Sequence, residues 1–456
     1  MEKNNLAAYQ SGSFSLDISK LILDGDFFRR EDLPAFFHEY CHYIQDITQI
    51  SSIFGFSLWM RDVVALTHVF SDGIGKEIEI PLARDEYGQS INKFRKYYNM
   101  YCGDSDQVFS IDYTKITDIN RDLKVEEVIL EGRDQKLAVN HLTLEGFHTK
   151  IHFGLIVLQE IQAYYAQKLV EEQLPDVTFS APSITLPSFP YHFGDFLFNS
   201  YNIAIDDRSK FILIDFCLDT VQAPSVFLDV LDKLKGKSVT HFGKNKTDIK
   251  SIVEECRQTS SYSTEEALNN ILPDLKMWAT DTKRKYLAQA LDWYVKNIEL
   301  AYNFKNMKPE IDGVKMNFDT FFSLSFCLPL NDGLQPMFLS FPAPVYLNNG
   351  VFYRNYSRKG ENEDREFEKD YEAATTIWSH KMIYNLLSSK TVSEINDHSK
   401  CPLYERCNIR KEEDDYICSR SPWEILYGKE KVECQYGMAA HSFGLWQNRL
   451  NIKMER

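Results

Sequence analysis

Within this 456-residue chain the residues best suited to chemistry are His38, Glu39 and His42, in the run His38-Glu39-Tyr40-Cys41-His42. Two histidines four apart on a helix project from one face, so both imidazoles can reach a single Zn²⁺ while the intervening glutamate reaches a water on that metal. The chemistry this allows is hydrolysis, with Glu39 as the base that takes the water's proton. A core helix holding two hydrogen-bonded histidines would give the same pattern. The surroundings have to decide between them.

A catalytic zinc site needs a third protein ligand and an open position. A metzincin would have glycine at 45 and histidine at 48; this chain has Gln45 and Thr48, which excludes that class. The candidate is Glu160, in "HFGLIVLQEIQAYYAQKLVEEQ". It lies among Leu155, Ile156, Leu158, Ile161 and Ala163, in a helix apolar enough that a buried acid would need a partner. A metal would be that partner; a glutamate facing solvent beside Gln159 and Gln162 is the alternative. Ala163, one turn on, is small enough to let two helices approach closely. For stabilising an oxyanion the available donors are Tyr164, Tyr165, Tyr191 and His192, which the sequence does not separate. Cys41 beside His42 has no nucleophile motif of its own.

Several elements must hold these residues. Asp32 is a good N-cap and Pro34 suits a first turn, so a helix should begin about one and a half turns before His38 and run on through the apolar "AFFHEYCHYIQDITQISSIFGFSLWMRDVV". Residues 14–24 alternate like a strand ahead of it. "VEEVILE", "KLAVNHLTLE" and "FHTKIHF" also read as strands, and Gly154 marks the change from period two to helical spacing. Either strand region could offer a sheet edge that holds a substrate in extended form. Beyond Glu160, residues 175–195 read as a Pro-containing loop bordering the cleft. Two helices broken around Pro224 and a helical region over 260–306 follow. Residues 311–356 are rich in aromatic and β-branched residues and are expected to form aromatic core.

The two segments "HEYCHYIQDIT" and "HFGLIVLQEIQAYYAQ" together resemble the gluzincin arrangement of HExxH plus a downstream glutamate helix. More narrowly, they are similar to a group of poorly characterised bacterial proteins with an H-E-Y-x-H helix and a later E-x-x-A segment. The resemblance spans roughly residues 14–225 and rests on those two helices. It implies zinc bound by His38, His42 and Glu160, with Glu39 as general base. The chain departs from the group at 161–162, where small residues are more usual after the glutamate.

A second cluster lies near the C-terminus. Cys401, Cys407, Cys418 and Cys434 occur in a charged, loop-like context, where clustering in a reducing compartment points to metal more than to disulfides. A tetrathiolate zinc is the expected solution. His398 or His441 could replace one thiol, an iron–sulfur cluster uses the same ligands, and four unrelated reduced cysteines are the plain alternative.

The formal net charge of −15 argues against broad electrostatic attachment to nucleic acid or anionic membrane and favours protein or peptide partners. No signal pattern opens the chain and no window is expected to have the apolar length that crosses a bilayer, which points to the cytoplasm. The expected architecture is α+β: a zincin-like core over 1–225, a helical region over 226–310, a mixed aromatic-rich region over 311–394 and a Cys-rich module over 395–456. The expected activity is zinc-dependent peptide hydrolysis. A zincin fold that binds a regulatory partner without cleaving it, and a zinc hydrolase acting on another amide or ester, are the alternatives.

Overall fold

The computed structural model describes residues 7–18, 23–24, 27–71, 75, 77–80, 88–103, 110–130, 133–147, 149–235, 246–259, 264–281, 284–306, 310–311, 314–315, 345–348, 351–353, 363–388, 400–401, 403–404, 407, 415–426 and 434–452. Most of the expected aromatic-rich region, with Cys327, and His398 lie outside these. The class is α+β, with helices predominating over small sheets.

Helix α1 (Leu33–Thr48) starts where Asp32 and Pro34 predict, but Asp32 makes no side-chain cap bond. Its backbone is already near-helical (φ −99°, ψ −12°) and its carboxylate lies 3.7 Å from Arg29. An N-cap needs extended backbone to turn its side chain back onto the free N–H groups. The apolar run does not continue as one helix either. Gln49 is extended (φ −94°, ψ 131°), and α2 (Ile50–Ser71) begins at the next residue. Contrary to expectation, Ile50–His68 is long and apolar enough to cross a membrane by length and composition, yet 94% of it is buried inside the protein. A helix packed on all sides carries the same pattern as one in lipid.

The predicted strands ahead of Gly154 form a three-stranded antiparallel sheet of β6 (Asp118–Leu130), β7 (Arg133–Glu145) and β8 (Thr149–Phe153), after β5 (Glu77–Ile80) and α3 (Gly88–Cys102). In β8, Ile151 and Phe153 are buried on one face, the alternation expected of a half-buried strand. Gly154 then caps α4 (Leu155–Glu172). A β-carbon there would lie 2.4 Å from the backbone of Cys102 and Gly103, so this junction needs glycine because two main chains meet. Helices α5 (Phe193–Ser200), α6 (Asp207–Leu218) and α7 (Ala223–Leu234) follow, with Pro224 in the first turn of α7 as its missing N–H allows. Helices α8 (Lys246–Thr259), α9 (Thr264–Ala279) and α10 (Lys285–Asn306) complete the region expected to be helical.

Residues 14–24 hold short strands rather than one long one. β1 (Ala8–Gln10) pairs antiparallel with β2 (Ser15–Asp17), and β3 (Leu23–Asp24) with β4 (Phe27–Phe28). β2 then pairs in parallel with strand Val345–Asn348, and β5 pairs in parallel with Arg449–Ile452. These ladders cross the boundaries drawn at 225, 310 and 394, and one apolar cluster runs from Ala7 to Leu445.

Asp62 of α2 is fully buried, accepts a hydrogen bond from Tyr384 Oη of helix Glu363–Ser388, and has no partner for Oδ1. Burial raises its pKa to about 7 against the opposing effects of Tyr384 and Arg95. A native pKa above the unfolded value contributes stability at low pH that is lost as pH rises through about 7. The Asp62→Asn variant should therefore gain stability relative to the unaltered chain between about pH 5 and about pH 8. Thermal unfolding of both proteins at the two pH values checks this; a constant difference would contradict it.

Candidate metal centre

Helices α1 and α4 pack against each other with the HExxH face of α1 turned to Glu160. Glu160 Oε2 lies 3.4 Å from His38 Nε2 and 3.5 Å from His42 Nε2. Ligands at zinc distances of 2.0–2.2 Å on a tetrahedron stand about 3.3–3.6 Å apart, so both separations match two edges of a zinc site. The three donor atoms all lie within 4.8 Å of one another and are the one such His/Cys/Asp/Glu group among the described residues. Glu160 is not the solvent-facing residue of the alternative reading: its Oε2 is buried and makes no hydrogen bond. A buried carboxylate oxygen that faces two imidazole nitrogens at ion-pair distance without hydrogen-bond geometry is suited to a cation placed between the three groups. The residues present fit zinc.

The charges fit as well. Burial alone would raise the Glu160 pKa, but His42 and His38 outweigh it and hold the carboxyl well below the usual carboxylate range. Burial likewise opposes a charge on His42, and Glu160 more than offsets it, lifting His42 to about 9. In the metal-free chain the pair is thus an ion pair. Glu39 is different. Burial pushes its pKa up, with His38 and His42 opposing.

These residues line one cavity of about 280 Å³. Its roof is the N-terminal strand, which the sequence did not flag. The Tyr9 N–H donates to Glu39 Oε2 (2.8 Å), and its ring stacks near His42. Tyr9 Oη, Ser11 Oγ and the Gly12 N–H donate to Asp46 Oδ2 at 2.9, 2.9 and 2.8 Å. Asp46 sits one turn beyond His42. Gly12 has φ +78°, a backbone state that glycine adopts without strain. The legible signal was an acid at 46 on an otherwise apolar helix, the same signal that marks Glu160.

Of the four candidate oxyanion donors only Tyr191 reaches the site. It lines the cavity with its ring 5.6 Å from that of His38, and burial, then Glu160 and Glu39, keep its hydroxyl protonated. Tyr164, Tyr165 and His192 are engaged elsewhere. Tyr165 Oη donates to Asp195, Tyr164 Oη lies 3.1 Å from His192 Nδ1, and His192 Nε2 bonds the Leu186 carbonyl. The attraction they answer is Asp195 with Lys210, 2.6 Å apart on the far side of α4. Cys41 is buried with its thiol pKa raised by burial, which suits an inert core thiol.

None of the four clustered cysteines forms a disulfide. The Cys401 N–H donates to the Cys418 carbonyl, and Cys434 caps helix Gln435–Ser442 with its sulfur accepting from the Gly437 N–H at 3.2 Å. Burial, with the three other thiols adding, pushes Cys401 up to about 12. The other three thiols lie near enough to act on Cys401, but no three of these sulfurs stand mutually within 4.8 Å as the first group does. His441 stacks on Trp446 instead of joining them.

No protein-family model, curated protein or solved structure matches this chain.

Removing any one of His38, His42 or Glu160 by alanine substitution should weaken zinc binding by more than the 10–100-fold typical of losing an outer partner. Competition against a chelator measures it. Equal affinity in Glu160→Ala and the unaltered chain would remove Glu160 from the ligand set.

Proposed function

We propose that this protein is a zinc-dependent metallopeptidase of gluzincin type, with a zincin-like core built on α1 and α4. The observation that carries the proposal is the buried, hydrogen-bond-free Glu160 Oε2 standing 3.4 and 3.5 Å from the two HExxH imidazoles. Bound there, zinc would supply a Lewis acid that lowers the pKa of a water and polarises the scissile carbonyl. Glu39 takes the water's proton and returns it to the leaving amine. Its Oε2 is committed to the Tyr9 N–H, so the transfer falls to Oε1. Its raised pKa suits a base that must also act as an acid. Tyr191 Oη is the donor proposed for the oxyanion. β1 is the outer strand of its sheet among the described residues and lies against α1; it is the proposed place for an extended peptide, which would have to add beyond the Tyr9 N–H that Glu39 already holds.

A binding protein that does not cleave its partner is the second reading. The contact of Glu39 with the Tyr9 N–H favours it, because a carboxylate that only anchors the N-terminal strand would make the same bond. Glutamine at 39 separates the two. It keeps an acceptor for Tyr9 but is no base, so Glu39→Gln should retain zinc and lose about 10²–10⁴-fold in hydrolysis of a peptide library. Cleavage of small amides or esters without peptides would move the activity to the third class, and undiminished peptide cleavage by Glu39→Gln would remove Glu39 from its role.

The proposal extends to a second, structural zinc held by Cys401, Cys407, Cys418 and Cys434, which would draw the four sulfurs together. Protein purified without chelators should then carry two zinc ions per chain, and Cys418→Ser one, with peptide hydrolysis kept. A single zinc in the unaltered chain, lost on His42→Ala, would leave the cysteines without a metal.

A further inference from the structure

Gln45 lies three residues beyond His42 on α1, is 1% exposed, and makes hydrogen bonds through both ends of its amide. Its Oε1 lies 2.8 Å from His42 Nδ1. Its Nε2 donates to the Gln159 carbonyl of α4 at 3.1 Å and to Gln162 Oε1 at 2.8 Å. Oxygen and nitrogen of an amide are told apart only by their partners, and here the partners decide. A main-chain carbonyl can only accept, so Gln45 must turn its NH₂ to Gln159. Gln162 reaches the same answer independently. Its Nε2, like that of Gln49, donates to Asp215 Oδ1 of α6, at 3.1 and 3.0 Å respectively, because a carboxylate accepts and does not donate. This leaves Gln162 Oε1 as an acceptor for Gln45.

With Gln45 so fixed, its Oε1 faces His42 Nδ1 and requires a proton there. In the neutral imidazole, the form that binds a metal, Nε2 then carries the lone pair on the side of Glu160. The opposite tautomer would set an acceptor against an acceptor at Nδ1, and flipping Gln45 to relieve it would do the same at Gln159 and Gln162. His38 has no such device, since its Nδ1 is buried without a hydrogen-bond partner.

We infer that Gln45 is a positioning residue that locks His42 into the Nδ1–H tautomer, with its own amide held by the Gln159 carbonyl and, through Gln162, by Asp215. His42 is therefore the ligand whose lone pair is aimed in advance, and the lock joins the histidine helix to the glutamate helix. The consequence for metal affinity rests on the zinc reading; the tautomer itself does not.

Gln45→Met, similar in size, removes both ends of the lock. In the full chain it should bind zinc 10–100-fold more weakly in chelator competition, and the His42 Nδ1–H proton, protected in histidine NMR spectra of the zinc-loaded protein, should exchange with solvent. Gln45→Glu keeps an acceptor for Nδ1–H but loses the donor to Gln159 and Gln162, so it should recover part of the lost affinity and keep the His42 Nδ1–H resonance, which a merely structural role would not produce. Asp215→Asn keeps an acceptor for Gln162 and should leave affinity and resonance in place. Unaltered affinity and an unaltered His42 resonance in Gln45→Met would overturn the inference. Should that variant not fold, the unaltered zinc-loaded protein suffices, because an Nε2–H form of His42 overturns the inference without any substitution. If the chain binds no zinc, the same spectra of the neutral imidazole at alkaline pH still read the tautomer, and the zinc reading alone fails.

Discussion

Burying an amide between two helices is costly unless each of its polar atoms finds a partner, and an unpaired one costs about 1–3 kcal/mol. Gln45 and Gln162, both nearly inaccessible, meet this constraint by bonding each other, His42, Asp215 and a main-chain carbonyl, and Gln49 adds two bonds through Nε2 while its Oε1 stays unpaired. Because these bonds run between α1, α4 and α6, the register of the helices is set by polar geometry as well as by apolar packing. The distances between His38, His42 and Glu160 follow from that register. A slip of one helix past the other would break the amide bonds before it altered the apolar contacts, which are tolerant of sliding. The site is therefore positioned by the interior behind it.

A second set of bonds closes the site from the other side. Tyr9, Ser11 and Gly12 reach α1 at Glu39 and Asp46, one acid on either side of His42. Burial raises the Asp46 pKa, and the three donors of the N-terminal strand, with His42, oppose that rise. The strand in turn belongs to a sheet completed by strands Val345–Asn348 and Val351–Tyr353, far along the chain. The roof over the cavity thus rests on a pairing that spans more than three hundred residues, whereas the floor joins helices 114 residues apart at Gln45 and Gln159.

That difference explains what could be read from the amino-acid sequence. His38, Glu39 and His42 were legible because their spacing repeats the helical turn, and Glu160 because one acid stood among apolar neighbours. Gly154 was legible as a boundary, and its reason, two main chains in contact, emerged only from the packing. The tyrosines at 164 and 165 read as site residues from their nearness to Glu160, but successive positions on a helix point in different directions, and these two face Asp195. The three-residue strand β1 carries too short a pattern to register, and it is held by β2, which itself pairs with a segment over three hundred residues away. The glutamine lock was partly visible: Gln45, Gln49, Gln159 and Gln162 sit in apolar helices where each needs a partner, but their spacing cannot say that the partners are one another.

The central claim is that these two helices hold one zinc ion among three side chains. Crystals of the zinc-loaded protein, with diffraction recorded on both sides of the zinc absorption edge, locate the metal without assumption. The account predicts an anomalous peak between α1 and α4, about 2.0–2.2 Å from His38 Nε2, His42 Nε2 and a carboxylate oxygen of Glu160. Zinc bound elsewhere, with Glu160 still paired only to the two imidazoles, would contradict it.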